Sequence, residues 1–250
     1  MQRLIPEMKI SVSDDSSLFF SLIIPAHNEE GYIDKTILSI KELDYPKEKL
    51  EVIIVDNGSV DKTNEIISQL SPDWFQVLAC QELGVSKAKN KGIENISFHD
   101  GWVIFLDADA YFEKGFIKEL NEFLHRNSDK NLGCGMVSLL PCPDSKLARF
   151  WYHFYNFANR VTRSSRSIQI IRRDLLRDIR FDEALSFDED TMLLRQCKTR
   201  SKYFFLRTKK VYSSIRRFEK NGWIGQLIQW IYYATRSYEN KKTIKYQVLR

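Results

Sequence analysis

Acidic side chains follow three apolar, strand-like segments of the sequence, each at the point where its run of hydrophobic residues ends. These acidic positions are Glu29, Asp56, Asp107 and Asp109. In an open parallel sheet, ligands bind beyond the carboxyl ends of the strands. One acidic cluster of this kind is easily explained by helix caps and turns, but three at the same predicted edge indicate a binding site.

Asp107 and Asp109 are the pair best suited to a metal ion. They are two residues apart at the predicted end of a strand, where alternate side chains point to the same side of the chain. Mg2+ and Mn2+ are typically held by one or two carboxylates, with water and substrate phosphate in the remaining positions. The spacing therefore predicts a site for diphosphate-bound Mn2+ or Mg2+. The alternative is that Asp109 only caps a helix that follows Tyr111.

A second carboxylate-rich segment, 181–190, contains five acidic residues and leads into a helix-like run at 191–195. Carboxylates at a helix start most often stabilise the partial positive charge of the helix N-terminus. One of them can instead act as a general base, with a pKa set by its neighbours. Local sequence alone leaves both roles open.

Absent motifs exclude several other kinds of site. The sequence has neither GxGxxG after a strand nor GxxxxGK[ST], which removes the common dinucleotide and P-loop sites. Its four histidines are scattered, and its four cysteines form no CxxC pair, so they fit reduced thiols rather than disulfides or a zinc site. A nucleotide, if bound, must be held by carboxylates and a metal ion.

Strand-like and helix-like segments alternate along the first half of the chain. Predicted strands cover 18–24, 52–55, 75–79 and 102–106, and predicted helices cover 29–43, 61–70 and 85–95. This alternation is typical of a mainly parallel central sheet flanked by helices. The second half is less regular, with predicted strands at 133–140, 168–171, 203–206 and 211–212 and predicted helices at 147–161, 190–198 and 223–234.

Charge is unevenly divided between the two halves of the 250-residue chain. Residues 1–144 hold 14 Lys and Arg against 24 Asp and Glu, whereas residues 145–250 hold 24 against 9, so the net charges are −10 and +15. The basic half suits an anionic partner such as a phosphate-bearing substrate or an acidic membrane surface, with a solvated basic face as the alternative. Nucleic acid is not predicted as a partner, because charge alone favours it and no recognition motif is present.

Membrane contact is predicted at the surface rather than across the bilayer. No run of about 18 apolar residues is present, and no apolar segment follows Arg3, which predicts a cytoplasmic location. The region 216–250 combines an aromatic, apolar stretch with flanking Lys and Arg residues. Such a segment predicts peripheral contact at the inner face of the membrane or, alternatively, a helix that covers the core.

Five segments of the sequence occur in an order typical of one family. They are SLIIPAHNEE, EVIIVDNGSVDKT, GVSKAKNKGIE, WVIFLDADAYF and FDEALSFDEDTMLLR. From about Ser21 to Arg195, this order resembles the family 2 glycosyltransferases, inverting nucleotide-diphospho-sugar transferases of the A-type fold. The resemblance implies a metal-dependent enzyme that moves a sugar from a nucleotide-diphosphate donor to a hydroxyl of a carbohydrate or lipid-linked acceptor, in polysaccharide or glycolipid synthesis.

The resemblance also implies roles for single residues. Asp190 matches the catalytic base, and Asp109 matches the metal ligand of the DxD pair. Glu189, Arg216 and Arg217 are candidate contacts of the diphosphate or the acceptor, with a solvated face as the alternative for the two arginines. The positions that match the nucleotide-binding loops are Pro25, Asn28, Glu29, Asp56, Lys89 and Asp107.

The sequence departs from the family pattern at several positions. Asn57 replaces a second Asp that often follows the residue at Asp56, and Lys89 stands where Arg is usual, so a point charge replaces a bidentate fork. The Gly-rich acceptor loop of small relatives is not matched around 164–167, and no His lies near 211–213 to act as a third metal ligand.

The predicted organisation has three parts. A polar arm covers 1–17, a catalytic domain covers 18–215, and the basic amphipathic segment covers 216–250. Within the catalytic domain, a nucleotide-sugar half extends to about residue 144 and an acceptor half follows. Two other functions stay open: a nucleotidyltransferase, although no Gly-rich basic loop follows the first strand, and a non-catalytic anion- or membrane-binding relative of the same fold.

Overall fold

The structure, a computed structural model, describes residues 17–165, 167–185, 187–236 and 238–242, and contains a seven-stranded and a three-stranded sheet. The predicted arm therefore lies outside the described residues except for Ser17. The strands are β1 (Phe20–Ala26), β2 (Leu50–Asp56), β3 (Phe75–Ala79), β4 (Trp102–Phe105), β5 (Ala110–Phe112), β6 (Leu132–Val137), β7 (Leu140–Cys142), β8 (Gln169–Arg172), β9 (Lys202–Leu206) and β10 (Val211–Ser214).

The larger sheet has the strand order β3-β2-β1-β4-β8-β6-β9. β1 pairs in parallel with both β2 and β4, and β2 pairs in parallel with β3. β8 is antiparallel to its neighbours β4 and β6, whereas β6 and β9 are parallel. The mainly parallel central sheet predicted from the alternating elements is therefore confirmed.

Helices cover both faces of this sheet. They are α1 (Ile33–Lys41), α2 (Thr63–Leu70), α3 (Val85–Glu94), α4 (Phe116–Arg126), α5 (Lys146–Thr162), α6 (Glu189–Arg200), α7 (Arg216–Asn221), α8 (Trp223–Ala234) and α9 (Tyr238–Lys242). Leu22 and Ile24 of β1 pack in one core with α1, α2 and α4, while Ile23 packs in the other with α3 and α6. Because successive residues of a strand point to opposite faces, a sheet buried on both sides requires the continuous apolar runs seen in the sequence.

The first strand runs further than the sequence predicts. β1 continues through Pro25 to Ala26, whereas the predicted strand, 18–24, stops just before Pro25. Its pairing with β4 stops at Ile23, so Pro25 lies beyond the ladder on that side and pairs only with β2. The following helix is correspondingly shorter than expected, because Glu29 to Tyr32 form a turn before α1 begins at Ile33.

The smaller sheet joins segments from both halves of the chain. β10 lies in its centre, antiparallel to β5 and parallel to β7. The alternative explanation of Asp109, a cap of the helix that follows Tyr111, is wrong: Asp109 precedes β5, and α4 begins at Phe116 with Gly115 as its N-cap. Since β5 starts directly after Asp109 and β10 ends just before Arg216, this sheet brings those two residues together.

The C-terminal helices pack on the rest of the fold. Trp223 and Trp230 of α8 lie against the larger core, and Gln226 is fully buried, whereas Ile224 and Ile228 are exposed. One face of this helix therefore covers the core and the other faces solvent. Among the described residues, no helix is both long enough and apolar enough to cross a bilayer.

Candidate active site

A cavity of about 490 Å³ opens at the carboxyl ends of β1, β2 and β4. The first half of the chain contributes Pro25, Glu29, Asn57, Lys89, Asp107 and Asp109 to its lining. The second half contributes Glu189, Asp190, Arg216 and Arg217. Most of the predicted site residues thus line one cavity, at the sheet edge where the acidic clusters indicated a binding site.

Arg216 joins the two acidic residues that follow β1 and β4. Its terminal nitrogens Nη1 and Nη2 donate to the two carboxylate oxygens of Glu29, each at 2.7 Å. Its Nε lies 2.9 Å from Oδ2 of Asp109, an ion pair without the alignment of a hydrogen bond. The guanidinium also lies over the ring of Tyr32, 4.6 Å from the centroid. A cationic side chain from the last part of the chain therefore occupies the position between two acidic loops.

Burial controls the protonation of this cluster. It raises the pKa of Glu29 to about 7, although the contact with Arg216 opposes that rise. It also raises the pKa of Asp109, again against the opposing charge of Arg216. Burial alone would lower the pKa of Arg216, but Asp109 and Glu29 outweigh it and raise the value above the ordinary one. The guanidinium stays charged and offsets much of the negative charge around it.

A second ion pair lies between α3 and the start of α6. The Nζ atom of Lys89 is 2.5 Å from Oδ1 of Asp190 and 3.4 Å from Oε1 of Glu189. Lys89 is only 2% exposed, and its ammonium group also faces the ring of Phe181 at 4.8 Å. This lysine is therefore held deep in the cavity wall with its charge directed at the carboxylates of α6.

Asp190 has the protonation properties of a strong carboxylate base. Burial raises its pKa well above the ordinary value, the neighbouring Glu189 raises it further, and Lys89 opposes the rise. The pKa of Lys89 is lowered by burial but raised overall by Asp190 and Glu189. A carboxylate with a raised pKa binds a proton more tightly. It therefore accepts a proton from an attacking hydroxyl more readily in the transition state, which favours general base catalysis.

Asp107 is held by a contact outside the acidic clusters. Its Oδ2 accepts a hydrogen bond from the hydroxyl of Ser167 at 2.9 Å. The backbone turns between Asp107 and Ala110, whose N–H donates to the Asp107 carbonyl. Asp107 and Asp109 therefore face one cavity through a turn rather than through the extended chain that their spacing suggested.

Two predicted nucleotide-binding residues, Asp56 and Asn28, are not among the residues that line the cavity. The carboxylate of Asp56 accepts from the N–H of Ser59 and from the side chain of Asn64, each at 3.2 Å. The Oδ1 atom of Asn28 accepts a hydrogen bond from the backbone N–H of Val60. The backbone N–H of Asn28 donates to the hydroxyl of Ser59. Asp56 thus stabilises the turn that follows β2, and Asn28 links the β1 loop to that turn.

Asn57 is a site residue whose role the sequence did not reveal. Its amide nitrogen donates to the carbonyl of Glu82, and its amide oxygen accepts from the N–H of Gly84, both at 2.8 Å. It thereby holds the 82–84 loop, whose Leu83 and Gly84 line the cavity. The only sequence signal was that Asn57 departs from the family's second Asp.

Aromatic residues from the second half close the cavity on another side. Tyr152 and Tyr155 of α5 and Trp230 of α8 belong to its lining. The hydroxyl of Tyr152 donates to the carbonyls of Ser213 and Ser214, which fixes α5 against the end of β10. The sequence predicts helices at 147–161 and 223–234 but gives no sign of which of their residues face the site.

The fold is that of the A-type nucleotide-sugar transferases. A crystal structure of residues 1–349 of TarS from Staphylococcus aureus superposes with a TM-score of 0.64 at 21% identity, covering 81% of this chain and 63% of that one. The mannosyltransferase PcManGT from Pyrobaculum calidifontis, in complex with GDP-Man and Mn2+, gives 0.60 at 17% identity, covering 90% and 67%.

The chain belongs to glycosyl transferase family 2, because the model of that family matches residues 21–179, more than half of the sequence. The minor teichoic acid biosynthesis protein GgaA of Bacillus subtilis is 26% identical over 247 residues, covering 91% of this chain and 51% of GgaA. The poly(ribitol-phosphate) beta-N-acetylglucosaminyltransferase TarS of Staphylococcus aureus is 27% identical over 180 residues, covering 69% and 31%. This chain spans about half the length of GgaA and less of TarS.

Proposed function

We propose that this protein transfers a sugar from a nucleotide-diphosphate donor to an acceptor hydroxyl, with inversion at the anomeric carbon. The observation that carries the proposal is the convergence of Asp109 and Asp190 on one cavity, Asp109 beside the partly buried Arg216 and Asp190 beside the buried Lys89. One carboxylate at the donor side and one base opposite are the groups that a single displacement needs.

The donor fits the part of the cavity formed by the first half of the chain. Pro25, Glu29 and Asp107 line it, Asp56 stabilises the turn after β2, and Asn28 links the β1 loop to that turn. Arg216 and Arg217 supply the positive charge that a diphosphate requires. TarS is known in complex with UDP-GlcNAc and PcManGT with GDP-Man. These two complexes support a nucleotide-diphosphate sugar as the donor class.

The residues present fit a divalent cation of the Mn2+ or Mg2+ type. Asp107 and Asp109 offer carboxylate oxygens, the ligands these ions prefer, and both line the cavity. Among the described residues no group of three or more His, Cys, Asp or Glu side chains could hold a metal ion. Asp109, with Asp107 beside it, would hold the ion together with diphosphate oxygens. When bound, such an ion neutralises charge that develops on the departing diphosphate.

Asp190 is the proposed base. Its carboxylate lies at the N-terminal end of α6 and faces the cavity, with Lys89 on its other side. It takes the proton from the acceptor hydroxyl as that oxygen attacks the anomeric carbon. Lys89 holds the carboxylate in place, and Arg216 and Arg217 lie on the donor side, where negative charge accumulates on the leaving group.

The acceptor we propose is a carbohydrate or a lipid-linked sugar in the synthesis of a cell-surface polysaccharide or glycolipid. GgaA is named for minor teichoic acid biosynthesis, and TarS for transfer to poly(ribitol-phosphate). The +15 charge of residues 145–250 supports an acceptor or surface that carries phosphate.

Release of free nucleotide diphosphate from a panel of UDP- and GDP-sugars tests the proposal, with Mn2+ or Mg2+ present. Asp109→Ala and Asp190→Asn should each reduce turnover by about 10²-fold or more. Asp34→Asn changes an exposed carboxylate on α1. It is the matched control and should turn over like the wild type. Pyrophosphate as the product would indicate a nucleotidyltransferase. Absence of any nucleotide binding in calorimetry would indicate a non-catalytic relative.

A further inference from the structure

The outer face of α5 carries a continuous apolar stripe that no residue of the proposed active site uses. Its five members, Leu147, Phe150, Phe154, Phe157 and Val161, are between 48% and 67% exposed. Their spacing of three and four residues places them on one side of the helix. Five large apolar side chains in one exposed row on a folded domain indicate an interaction surface rather than scattered surface residues.

α8 extends this stripe into a wider apolar face. Trp151 of α5 stacks on Trp223 of α8 with the ring centroids 6.0 Å apart, so the two helices lie side by side. Ile224, Ile228 and Ile231 of α8 are each more than half exposed. The sequence predicted membrane contact only for 216–250, whereas the structure shows that α5 supplies a large part of the exposed apolar surface.

Basic residues border the stripe on its other side. Lys146, Arg149, His153 and Arg160 are all exposed and follow the same helical spacing, and α5 contains no acidic residue. Arg149 pairs with Asp144, just before the helix. Arg160 shares a second surface cavity with the exposed Arg207 and Lys209. An apolar strip beside a basic strip is the pattern of helices that lie in the interface of anionic membranes.

We propose that α5 and α8 together dock this protein on the surface of an anionic lipid bilayer, with the row from Leu147 to Val161 inserted among the lipids. The inner face of α5 carries Tyr152 and Tyr155, which line the catalytic cavity. The bilayer would therefore lie about one helix diameter, roughly 10 Å, from the cavity. Docking on a bilayer favours a lipid-linked acceptor for the proposed reaction. Only this statement about the acceptor rests on the proposed function.

Flotation of the full chain with lipid vesicles, without any substrate, tests the docking itself. The protein should float with vesicles of phosphatidylcholine and phosphatidylglycerol, and much less with phosphatidylcholine alone. Phe150→Ser combined with Phe154→Ser and Phe157→Ser should weaken binding by at least about tenfold. Leu38→Ser combined with Val77→Ser changes exposed apolar residues on α1 and β3, and should bind like the wild type.

Two double charge-reversal variants distinguish binding through this surface from a general attraction of the protein to anionic lipid. Lys146→Glu with Arg160→Glu should weaken binding severalfold more than Lys118→Glu with Lys202→Glu, two exposed lysines on α4 and β9. Equal binding by all these variants would overturn the proposal, as would a wild type that never floats. Sedimentation equilibrium showing a dimer that the three Phe changes dissociate would identify a second copy as the occupant instead. Donor turnover is measured in a separate assay. Failure of vesicle binding therefore leaves the proposed transferase activity standing, and failure of turnover leaves the docking proposal standing.

Discussion

The Nζ atom of Lys89 lies 2.5 Å from a carboxylate oxygen of Asp190, and both side chains are almost completely buried. The two residues come from α3 and α6, on the same face of the central sheet. A buried ion pair is costly to break, because removal of one partner leaves an uncompensated charge in a poorly solvated position. The pair therefore links the stability of the fold to the position of the proposed base.

Replacing Lys89 by Met should destabilise the protein by about 3–5 kcal/mol, since Asp190 and Glu189 then face each other without a counter-charge. Urea unfolding followed by circular dichroism measures this loss. Lys87→Met is the matched control two residues earlier, because Lys87 pairs with Glu82 at the exposed surface and should leave the unfolding midpoint nearly unchanged. Equal effects of the two changes would show that the buried ion pair contributes no more to stability than the exposed one.

Stability should depend on pH through Asp190. Its folded-state pKa is raised, so between the ordinary carboxyl range near pH 4 and the folded pKa the folded state binds a proton that the unfolded state has lost. The stabilising contribution of Asp190 to the free energy of unfolding is therefore present at low pH. It is lost as the pH rises from about 4 through the folded-state pKa. Asp190→Asn should flatten this slope when the free energy of unfolding is measured at several pH values, whereas the exposed Asp129→Asn should leave it as in the wild type.

Turnover should have the opposite pH dependence. Asp190 acts as a base only without its proton, so the rate of transfer should rise with pH, with an inflection above the ordinary carboxyl range. Lys89→Arg keeps a positive charge beside Asp190 and should keep the inflection close to that of the wild type. A rate that is flat across this range, with chemistry rate-limiting, would contradict the role of Asp190.

Replacing Asn57 by Asp should weaken donor binding rather than slow the reaction. The new carboxylate oxygen would face the carbonyl of Glu82, which accepts a hydrogen bond from Asn57 in the wild type. The 82–84 loop would then keep only the bond from the N–H of Gly84 to residue 57. We expect KM for the donor to rise about fivefold, the equivalent of roughly 1 kcal/mol for one hydrogen bond, with little change in kcat. Asn95→Asp, at the end of α3, is the control, and a change confined to kcat would refute this role.

Mn2+ together with a nucleoside diphosphate should raise the melting temperature of the wild type, since a ligand that binds only the folded state stabilises it. Asp109→Asn should abolish most of that shift, because it removes the charged oxygen that faces the cavity. Asp144→Asn, at an exposed carboxylate near the start of α5, should keep the shift. An unchanged shift in Asp109→Asn would place the ion elsewhere.

Local patterns determined much of this protein. The apolar runs that form β1, β2 and β4 predict buried parallel strands, because only residues covered on both faces can be continuously hydrophobic. In parallel strands the carboxyl ends meet at one edge, so Glu29 and Asp109 were expected there from the sequence alone. Pro25 was the exception, since only the pairing of β1 decides whether its missing N–H matters.

Only the tertiary structure decided which charges meet. Arg216 contacts Glu29 from 187 positions further along the chain, and Lys89 contacts Asp190 from another helix. Composition could show that the second half is basic, but not that one arginine fills the space between two acidic loops or that Asn57 anchors the 82–84 loop. Such contacts depend on how the smaller sheet and α6 pack against the first half. No local periodicity encodes that packing, because it arises from burial shared among residues far apart in the sequence.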